Sequence, residues 1–308
     1  MKIIVTGGSG FLGSHMIPAL EQAGHTILNV DIREPKHVEI KTVIADILDK
    51  PKMMEIIKDA DAVLHLAGLI EAGESVKDPQ TFVDVNISGT INVLEAMKAN
   101  GINTILFSSS AAVYGEPKNI PISEDDPTMP INPYGMTKLA MEGLISSYVK
   151  AHGMTGVALR YFNLYGPKEH HEPESHAMPR FIEQIYKGEE VTVYGSGEHQ
   201  RDYIHVKDIA DAHIKALDYA MNNQKEYHYF NLSTQKPSSV LDIAHAVENA
   251  MNKKANIKHL PERPGDPMVL YANATKAHEV LGWQAQVSLE DGIKETVDYF
   301  VEYWNKTV

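Results

Sequence analysis

Lys2-Ile-Ile-Val-Thr-Gly7-Gly-Ser-Gly10-Phe-Leu-Gly13 is the stretch that decides the fold. Residues 2 to 6 form a short apolar run, the pattern of a buried parallel strand. Glycines follow at spacing three, and Phe11 to Ala23 reads as a helix stopped by Gly24. A strand that feeds a helix through such glycines suits the phosphates of a dinucleotide. Gly7 permits the tight turn, Gly10 lets backbone approach a pyrophosphate, and Gly13 lets the helix pack closely. The start of the helix adds N–H groups and the positive end of its dipole. A second apolar run, Thr26 to Val30, ends in Asp31, close to the offset of about twenty residues at which an acidic side chain meets the adenosine ribose. A carboxylate there repels a 2′-phosphate, so NAD is expected over NADP. Arg33 is the contrary sign, since a guanidinium could hold that phosphate.

Farther along, strand-like runs alternate with amphipathic helices. Candidate strands are Thr42–Ala45, Ala62–Leu66, Thr104–Phe107 and Gly156–Leu159; candidate helices are Pro79–Ala99 and Tyr134–His152. This alternation predicts an α/β fold, a doubly wound parallel sheet of Rossmann type. After Gly166-Pro167 the character changes. Lys168 to Ser175 reads as a polar loop, followed by short strands, a turn at Gly195-Ser-Gly197, and helices near 207–221, 239–252, 275–281 and 289–304. The expected division is a dinucleotide-binding domain over 1–166 and a smaller α/β substrate lobe over 167–308, parts of which return to the sheet.

With 308 residues the chain is ample for such a plan. Its formal charge of -13 argues against nucleic acid or an anionic membrane as a partner. The absence of cysteine excludes disulfides, thiolate metal sites and a cysteine nucleophile. No run is long and apolar enough to span a bilayer. The first strand begins at Lys2, which leaves no room for a signal peptide in the sequence, and a cytoplasmic enzyme is expected.

Tyr134-Gly-Met-Thr-Lys138 carries the chemistry. Four residues apart on a helix, Tyr134 and Lys138 share a face. A phenol titrates near ~10 in water, and an ammonium beside it is expected to lower that value toward the range of a useful base. Upstream, Ser108-Ser109-Ser110 offers hydroxyls at the end of a strand. His65 and His205 flank apolar runs and read as core histidines. His170, His171 and His176 cluster without a carboxylate at ligand spacing and read as solvated, so no metal is expected.

Taken in order, these motifs resemble one family. The chain is similar to extended short-chain dehydrogenases/reductases of the NAD-dependent epimerase/dehydratase family, most like UDP-sugar 4-epimerases of the UDP-glucose 4-epimerase type. The marks are the glycine fingerprint, Ala45-Asp-Ile-Leu-Asp49, His65-Leu-Ala-Gly68, Asn86-Ile-Ser-Gly-Thr-Ile-Asn92, Phe107-Ser-Ser-Ser-Ala-Ala-Val-Tyr-Gly115, Tyr134-x-x-x-Lys138, Leu159-Arg-Tyr-Phe-Asn163, Arg201-Asp-Tyr-Ile-His-Val206 and Arg263-Pro-Gly-Asp266. The resemblance implies tightly held NAD and reversible 4-epimerisation of a UDP-hexose through a 4-keto sugar. Tyr134 would take the 4-hydroxyl proton, Ser110 would bond the 4-oxygen, and Lys138 would grip the nicotinamide ribose. Cofactor contacts would come from Gly7, Gly10, Phe11, Leu12, Gly13, Asp31, Asp46, Ile47, Leu66, Ala67, Gly68, Asn86, Ser108, Tyr134, Lys138 and Tyr161. Substrate contacts would come from Ser110, Tyr134, Asn163, His176, Ala177, Thr192, Tyr194, Arg201, Arg263, Asp266 and Leu270. His176 departs from the family, where many relatives have an asparagine that reaches the diphosphate.

Several readings stay open at this level. Asn163 also reads as a turn residue, Arg201-Asp202 as a surface ion pair, and Leu270 as core packing rather than a gate beside the sugar's C2. Dehydratases and decarboxylases of this fold need a carboxyl group where this chain has Ala111 and Ala112, so elimination lacks its acid. UDP-N-acetylhexosamine or UDP-uronic acid epimerisation remains an alternative, as does a nucleotide-sugar 4-keto reductase. A homodimer is expected through a four-helix bundle of Pro79–Ala99 and Tyr134–His152, with apolar stripes that include Phe82, Val85, Leu94, Met97, Leu139, Leu144 and Ile145.

Overall fold

The computed structural model describes residues 1–170, 176–262 and 268–307. Seven parallel strands form its central sheet: β1 (Lys2–Thr6), β2 (Thr26–Asp31), β3 (Thr42–Ile44), β4 (Ala62–His65), β5 (Thr104–Ser108), β6 (Thr155–Tyr161) and β7 (Tyr227–Leu232). Their order is β7-β6-β5-β4-β1-β2-β3. Every residue of β4 and β5 is buried, as a strand covered on both faces requires. The chain walks outward from β1 to β3 and then jumps to β4 on the other side of β1. That reversal opens a crevice at the carboxyl ends of the strands, where such sheets bind ligands.

Helices α1 (Gly13–Gln22), α2 (Ala72–Lys77), α3 (Gly89–Ala99), α4 (Pro133–His152) and α5 (Ala177–Lys187) frame the crevice. α1 begins two residues later than its apolar pattern suggests, because Phe11 and Leu12 belong to the turn. α4 begins at Pro133, a residue suited to the first helical position, behind an Asn132 side chain that accepts the Gly135 N–H at 2.8 Å. The helix expected over Pro79–Ala99 is not uniform: Pro79–Phe82 is α, Val83–Ser88 is a π turn, and α3 follows. Such a widened turn is common at functional sites, and this one carries Asn86.

The remaining strands form small sheets of two or three. Asn163–Tyr165 pairs with Tyr203–His205, Glu190–Tyr194 with Asn256–Leu260, and Gln200–Arg201 lies between Ser238–Ser239 and Val269–Leu270. Strand β7 and the helix Val206–Asn222 come back to the sheet. One core face joins Ile3, Val5, Met16 and Leu159 to Ile209, Leu217, Phe230 and Trp283. The opposite face packs Val93, Leu94, Met97, Met141 and Ile145. A third core, with Phe181, Val193, Ile243 and Phe300, belongs to the later part of the chain. Among the described residues no helix is long and apolar enough to cross a membrane.

Candidate active site

The glycine turn after β1 is shaped by contacts that leave no room for side chains. Gly7 lies at φ +77°, and a Cβ there would fall 2.5 Å from the Ala67 nitrogen. At Gly13 a Cβ would fall 2.2 Å from the Gly8 carbonyl oxygen. Gly10 differs, since its Cβ would meet only the Gly7 oxygen, at 3.4 Å. The protein's own packing therefore does not demand glycine at 10. No side chain caps the start of α1, which leaves its first turn suited to an anion. At the end of β2, Asp31 accepts the Ser9 N–H at 2.9 Å and the Arg33 N–H at 3.2 Å, so its carboxylate is oriented by this same loop. Arg33 itself is exposed. Asp46, also exposed, accepts the Leu48 N–H at 2.9 Å and turns the chain after β3, while Ile47 is buried against Gly89. The donors and the space fit a dinucleotide.

After β4, the loop Leu66-Ala67-Gly68 lies against Gly7 on one side and Asn86 on the other. A Cβ on Gly68 would fall 2.9 Å from Asn86 Oδ1. The Asn86 amide is fully used: Oδ1 accepts the Leu69 N–H at 2.7 Å, and Nδ2 donates to the Leu69 carbonyl at 3.0 Å and Thr137 Oγ1 at 2.9 Å. Asn86 thus clasps this loop to the helix that carries Tyr134 and Lys138.

The three serines go three ways. Ser108 bonds the Tyr161 hydroxyl, and its carbonyl accepts Lys138 Nζ at 2.8 Å. Ser109 donates to Glu142. Ser110 lies two residues beyond the strand, and its hydroxyl accepts the Ala112 N–H at 3.1 Å to cap the short 3₁₀ turn that follows. The same hydroxyl lies against the Tyr134 phenol, where it favours the phenolate. Gly135 makes that approach possible, because a Cβ there would fall 2.6 Å from the Ala112 carbonyl oxygen.

The Tyr-Lys reading requires a correction. Burial pushes the Tyr134 phenol up to about 12, Ser110 pulls it back, and the charge of Glu71 adds to the rise. Lys138 lies 5.9 Å from the Tyr134 ring centroid and over the Phe107 ring at 5.0 Å. Burial pushes its own amine down to about 8, with Glu142 pulling it back up. Burial thus moves the phenol and the amine in opposite directions, and the expected lowering of the Tyr134 value by Lys138 is not seen.

Behind the serines lies a buried pair that the sequence reading passed over. Glu142 takes Arg160 at 2.9 and 2.6 Å, and Arg160 Nη1 donates to the Tyr114 hydroxyl at 2.8 Å. Glu142 continues the stripe of Tyr134 and Lys138 by one more turn of α4, a spacing that was visible in the sequence. His65 is buried and pushed down to about 3, a neutral core histidine.

The residues expected at the substrate sit across the crevice. Asn163 is exposed at the strand beside Tyr203. Arg201 and Leu270 are register partners. Arg201 is buried, while Asp202 turns away to Ser233 and Thr234, so the two do not form a surface pair. Leu270 is half-buried against the cluster of Ala111, Val113, Tyr114 and Phe162 that backs the serine turn. Tyr194 lies 5.8 Å from the Arg180 guanidinium, which also reaches the Thr192 carbonyl at 3.3 Å; Arg180 was not anticipated. Ala177 opens α5 behind His176. His176 meets two carboxylates that are remote in sequence, Glu169 at 2.6 Å and Glu71 at 3.6 Å. His170 is exposed, as expected, and also packs on the rings of Tyr299, Phe300 and Tyr303. Arg263, Asp266 and His171 lie outside the described residues. Among those described, no group of three or more His, Asp and Glu is placed to hold a metal ion.

Comparison with known proteins places this arrangement among relatives. The model of the NAD dependent epimerase/dehydratase family matches residues 3–232. A UDP-glucose 4-epimerase of Rhizobium meliloti (strain 1021) is 38% identical over 307 residues, 94% of this chain and 93% of that protein. The crystal structure of a UDP-glucose-4-epimerase from Stenotrophomonas maltophila with bound NAD and formylated UDP-arabinopyranose superposes with a TM-score of 0.94 at 35% identity, covering 99% of both chains. MoeE5 in complex with UDP-glucuronic acid and NAD superposes with a TM-score of 0.89 at 28% identity, covering 98% of this chain and 100% of that one.

Proposed function

The chain belongs to the NAD dependent epimerase/dehydratase family, and from that premise we propose that it interconverts a UDP-hexose and its 4-epimer, UDP-glucose and UDP-galactose first, with NAD held throughout. The observation that carries the reading is Ser110 against the Tyr134 phenol, with Lys138 one turn on and only alanines at 111 and 112. Such a site moves one proton at one oxygen, and positions 111 and 112 offer no carboxyl group for elimination. NAD, when bound, supplies the hydride acceptor and donor and, oxidised, the positive charge that favours the phenolate.

Gly7, Gly10, Gly13 and the start of α1 would take its pyrophosphate, Asp31 the adenosine ribose, and Lys138 the nicotinamide ribose. Tyr134 Oη would remove the 4-hydroxyl proton and later return it. Ser110 Oγ would bond the 4-oxygen in both directions and keep the keto sugar's oxygen in place. Arg201, with Arg263, would hold the diphosphate, since guanidinium forks match phosphate oxygens. The hexose end is then the freer end and can present either face of C4.

The reading extends to the division of the chain near residue 166, to cytoplasmic residence and to pairing of two copies. Phe82, Leu94, Met97 and Ile145 of the expected stripes are buried within the chain, whereas Val85, Leu139 and Leu144 keep some exposure and Val83 and Met136 are exposed. Those five support a twofold bundle, and a monomer by light scattering at micromolar concentration would reject it. The activity is tested by incubating the protein with a panel of UDP- and dTDP-sugars and separating the products. Interconversion of a 4-epimer pair without net consumption of cofactor is expected; stoichiometric loss of a reduced cofactor would instead assign a one-way reductase.

A further inference from the structure

Ser75 is in none of the motifs read from the sequence, yet the fold puts its hydroxyl on the backbone of the proposed base. Tyr134 is the second residue of α4, where a backbone N–H has no partner within the helix. The cap residue does not serve it, because Asn132 Oδ1 takes the Gly135 N–H. Instead the Tyr134 N–H donates to Ser75 Oγ at 3.1 Å, on a different helix. Ser75 is fully buried, and its own proton goes to the Ala72 carbonyl at 2.7 Å, so a lone pair is left for the tyrosine. The other end of Tyr134 is held as well. Its carbonyl accepts the Thr137 hydroxyl at 2.8 Å, and Thr137 Oγ1 accepts Asn86 Nδ2 at 2.9 Å. Both anchors lead to one segment. Asn86 clasps the backbone of Leu69, and Ser75 lies in α2, which follows Leu69 by three residues.

We propose that Ser75 is a positioning residue for the reaction: with Thr137 at the other end of the same residue, it fixes the backbone of Tyr134 to the segment after β4, so that the phenol stays on Ser110. This inference rests on the reading above, in which Tyr134 is the base. A tyrosine side chain turns about two bonds, so its hydroxyl goes where the backbone sends it. Ser110 is held by its own bond to the Ala112 N–H and does not depend on α2. Loss of the Ser75 contact would therefore move one partner and leave the other. Proton transfer needs the two within hydrogen-bond reach, and a misplacement of about 1 Å can cost ~10²-fold.

The test compares Ser75→Ala, Thr137→Val and Thr137→Ser with the wild type and with Tyr134→Phe, in the presence of NAD and UDP-glucose. Ser75→Ala should lower kcat by roughly 10-fold, within the range of such misplacement. KM for the nucleotide sugar and the Kd of NAD by calorimetry should change little. The Ser110 contact favours the phenolate, so weakening it raises the phenol's value, and the acid limb of the kcat profile should move to higher pH. The titratable groups that face the phenol, Lys138 of α4, Glu71 ahead of α2 and Tyr161 of β6, are the same in both proteins. Thr137→Val should repeat this pattern, and Thr137→Ser, which keeps the hydroxyl, should stay near the wild type. That pair decides the matter should Ser75→Ala fail to fold. A folded Ser75→Ala with wild-type kcat and an unmoved acid limb overturns the inference alone, provided Tyr134→Phe is inactive. So does a fall in kcat with an unmoved acid limb and a matching loss of NAD affinity, which marks a general loosening of the fold. Near-normal turnover in Tyr134→Phe removes the functional reading and this inference with it.

Discussion

Two buried polar chains run beneath the site, one neutral and one ionic. Under β1 and β4, Thr6 Oγ1 meets His65 Nδ1 at 2.7 Å, His65 Nε2 meets Thr90 Oγ1 at 2.9 Å, and Thr90 donates to the Asn86 carbonyl at 2.5 Å. With the Thr90 proton committed, the ring donates from Nε2 and accepts at Nδ1, and no member needs a charge. Under β5 and β6, Ser109, Glu142, Arg160, Tyr114 and Asn231 form the second chain, with a full ion pair at its centre. The neutral chain holds the walls of the dinucleotide crevice without adding a field. The ionic chain places an anion one turn behind Lys138 and helps keep that amine protonated. Shape is kept on one side and charge on the other.

Cutting the ionic chain should have the largest effect. Glu142→Gln leaves Arg160 buried without its counter-charge and should cost about 3–5 kcal/mol in urea unfolding. Adding Arg160→Met in the same protein should recover much of that loss. Next is the group that both chains support. Tyr134→Phe should lower turnover by at least ~10² while NAD remains bound on gel filtration, the usual scale for a general acid–base group. Near-normal turnover in that variant would remove Tyr134 from the mechanism.

The neutral chain should fail with acid. Burial pushes His65 to about 3 and His15, His205 and His213 to about 4. Each folded value lies below the ordinary 6.5, so between the two values the unfolded chain binds the proton and the folded one does not. Stability should therefore be flat near neutrality and fall as pH drops from about 6.5 toward 4, by up to ~1.4 kcal/mol per pH unit for each fully buried ring. His65→Gln should flatten part of that slope. A pH-independent denaturation midpoint across this window would break the contrast between the two chains.

Smaller effects separate packing from binding. Gly13→Ala should destabilise the fold by about 1–3 kcal/mol through overpacking against Gly8. Gly10→Ala should leave the melting temperature of the cofactor-free protein nearly unchanged and weaken NAD instead. Last is the gate: Leu270→Ser should raise kcat/KM for UDP-N-acetylglucosamine relative to UDP-glucose by about 1 kcal/mol, the low end for a change in pocket volume. An unchanged ratio would return Leu270 to the packing around Tyr114.

What was legible in the sequence follows from how each element is held. The strands β1, β4 and β5 are buried over nearly their whole length and could be read as short apolar runs. The two- and three-residue strands around Arg201 and Leu270 are too short to have a period. Helix-face geometry put Tyr134 beside Lys138, and the same count would have reached Glu142. The π turn at Val83–Ser88 leaves no comparable mark, since it depends on how Asn86 and Thr90 bond in the folded chain. Glu71 and His176 meet only through tertiary structure, so no local spacing could join them. The effect of Lys138 on Tyr134 was misjudged because spacing gives proximity but not the cost of burying the amine.

The return of β7 and the helix Val206–Asn222 to the first sheet has a consequence for how this molecule could be divided. A fragment ending near residue 166 would keep its nucleotide turn but expose the whole outer edge of β6, with its unpaired backbone groups. It would also uncover the apolar face that Ile209, Leu217, Phe230 and Trp283 now seal. Such a piece would be prone to self-association rather than a working half. The early and late parts of the chain therefore share one folding unit.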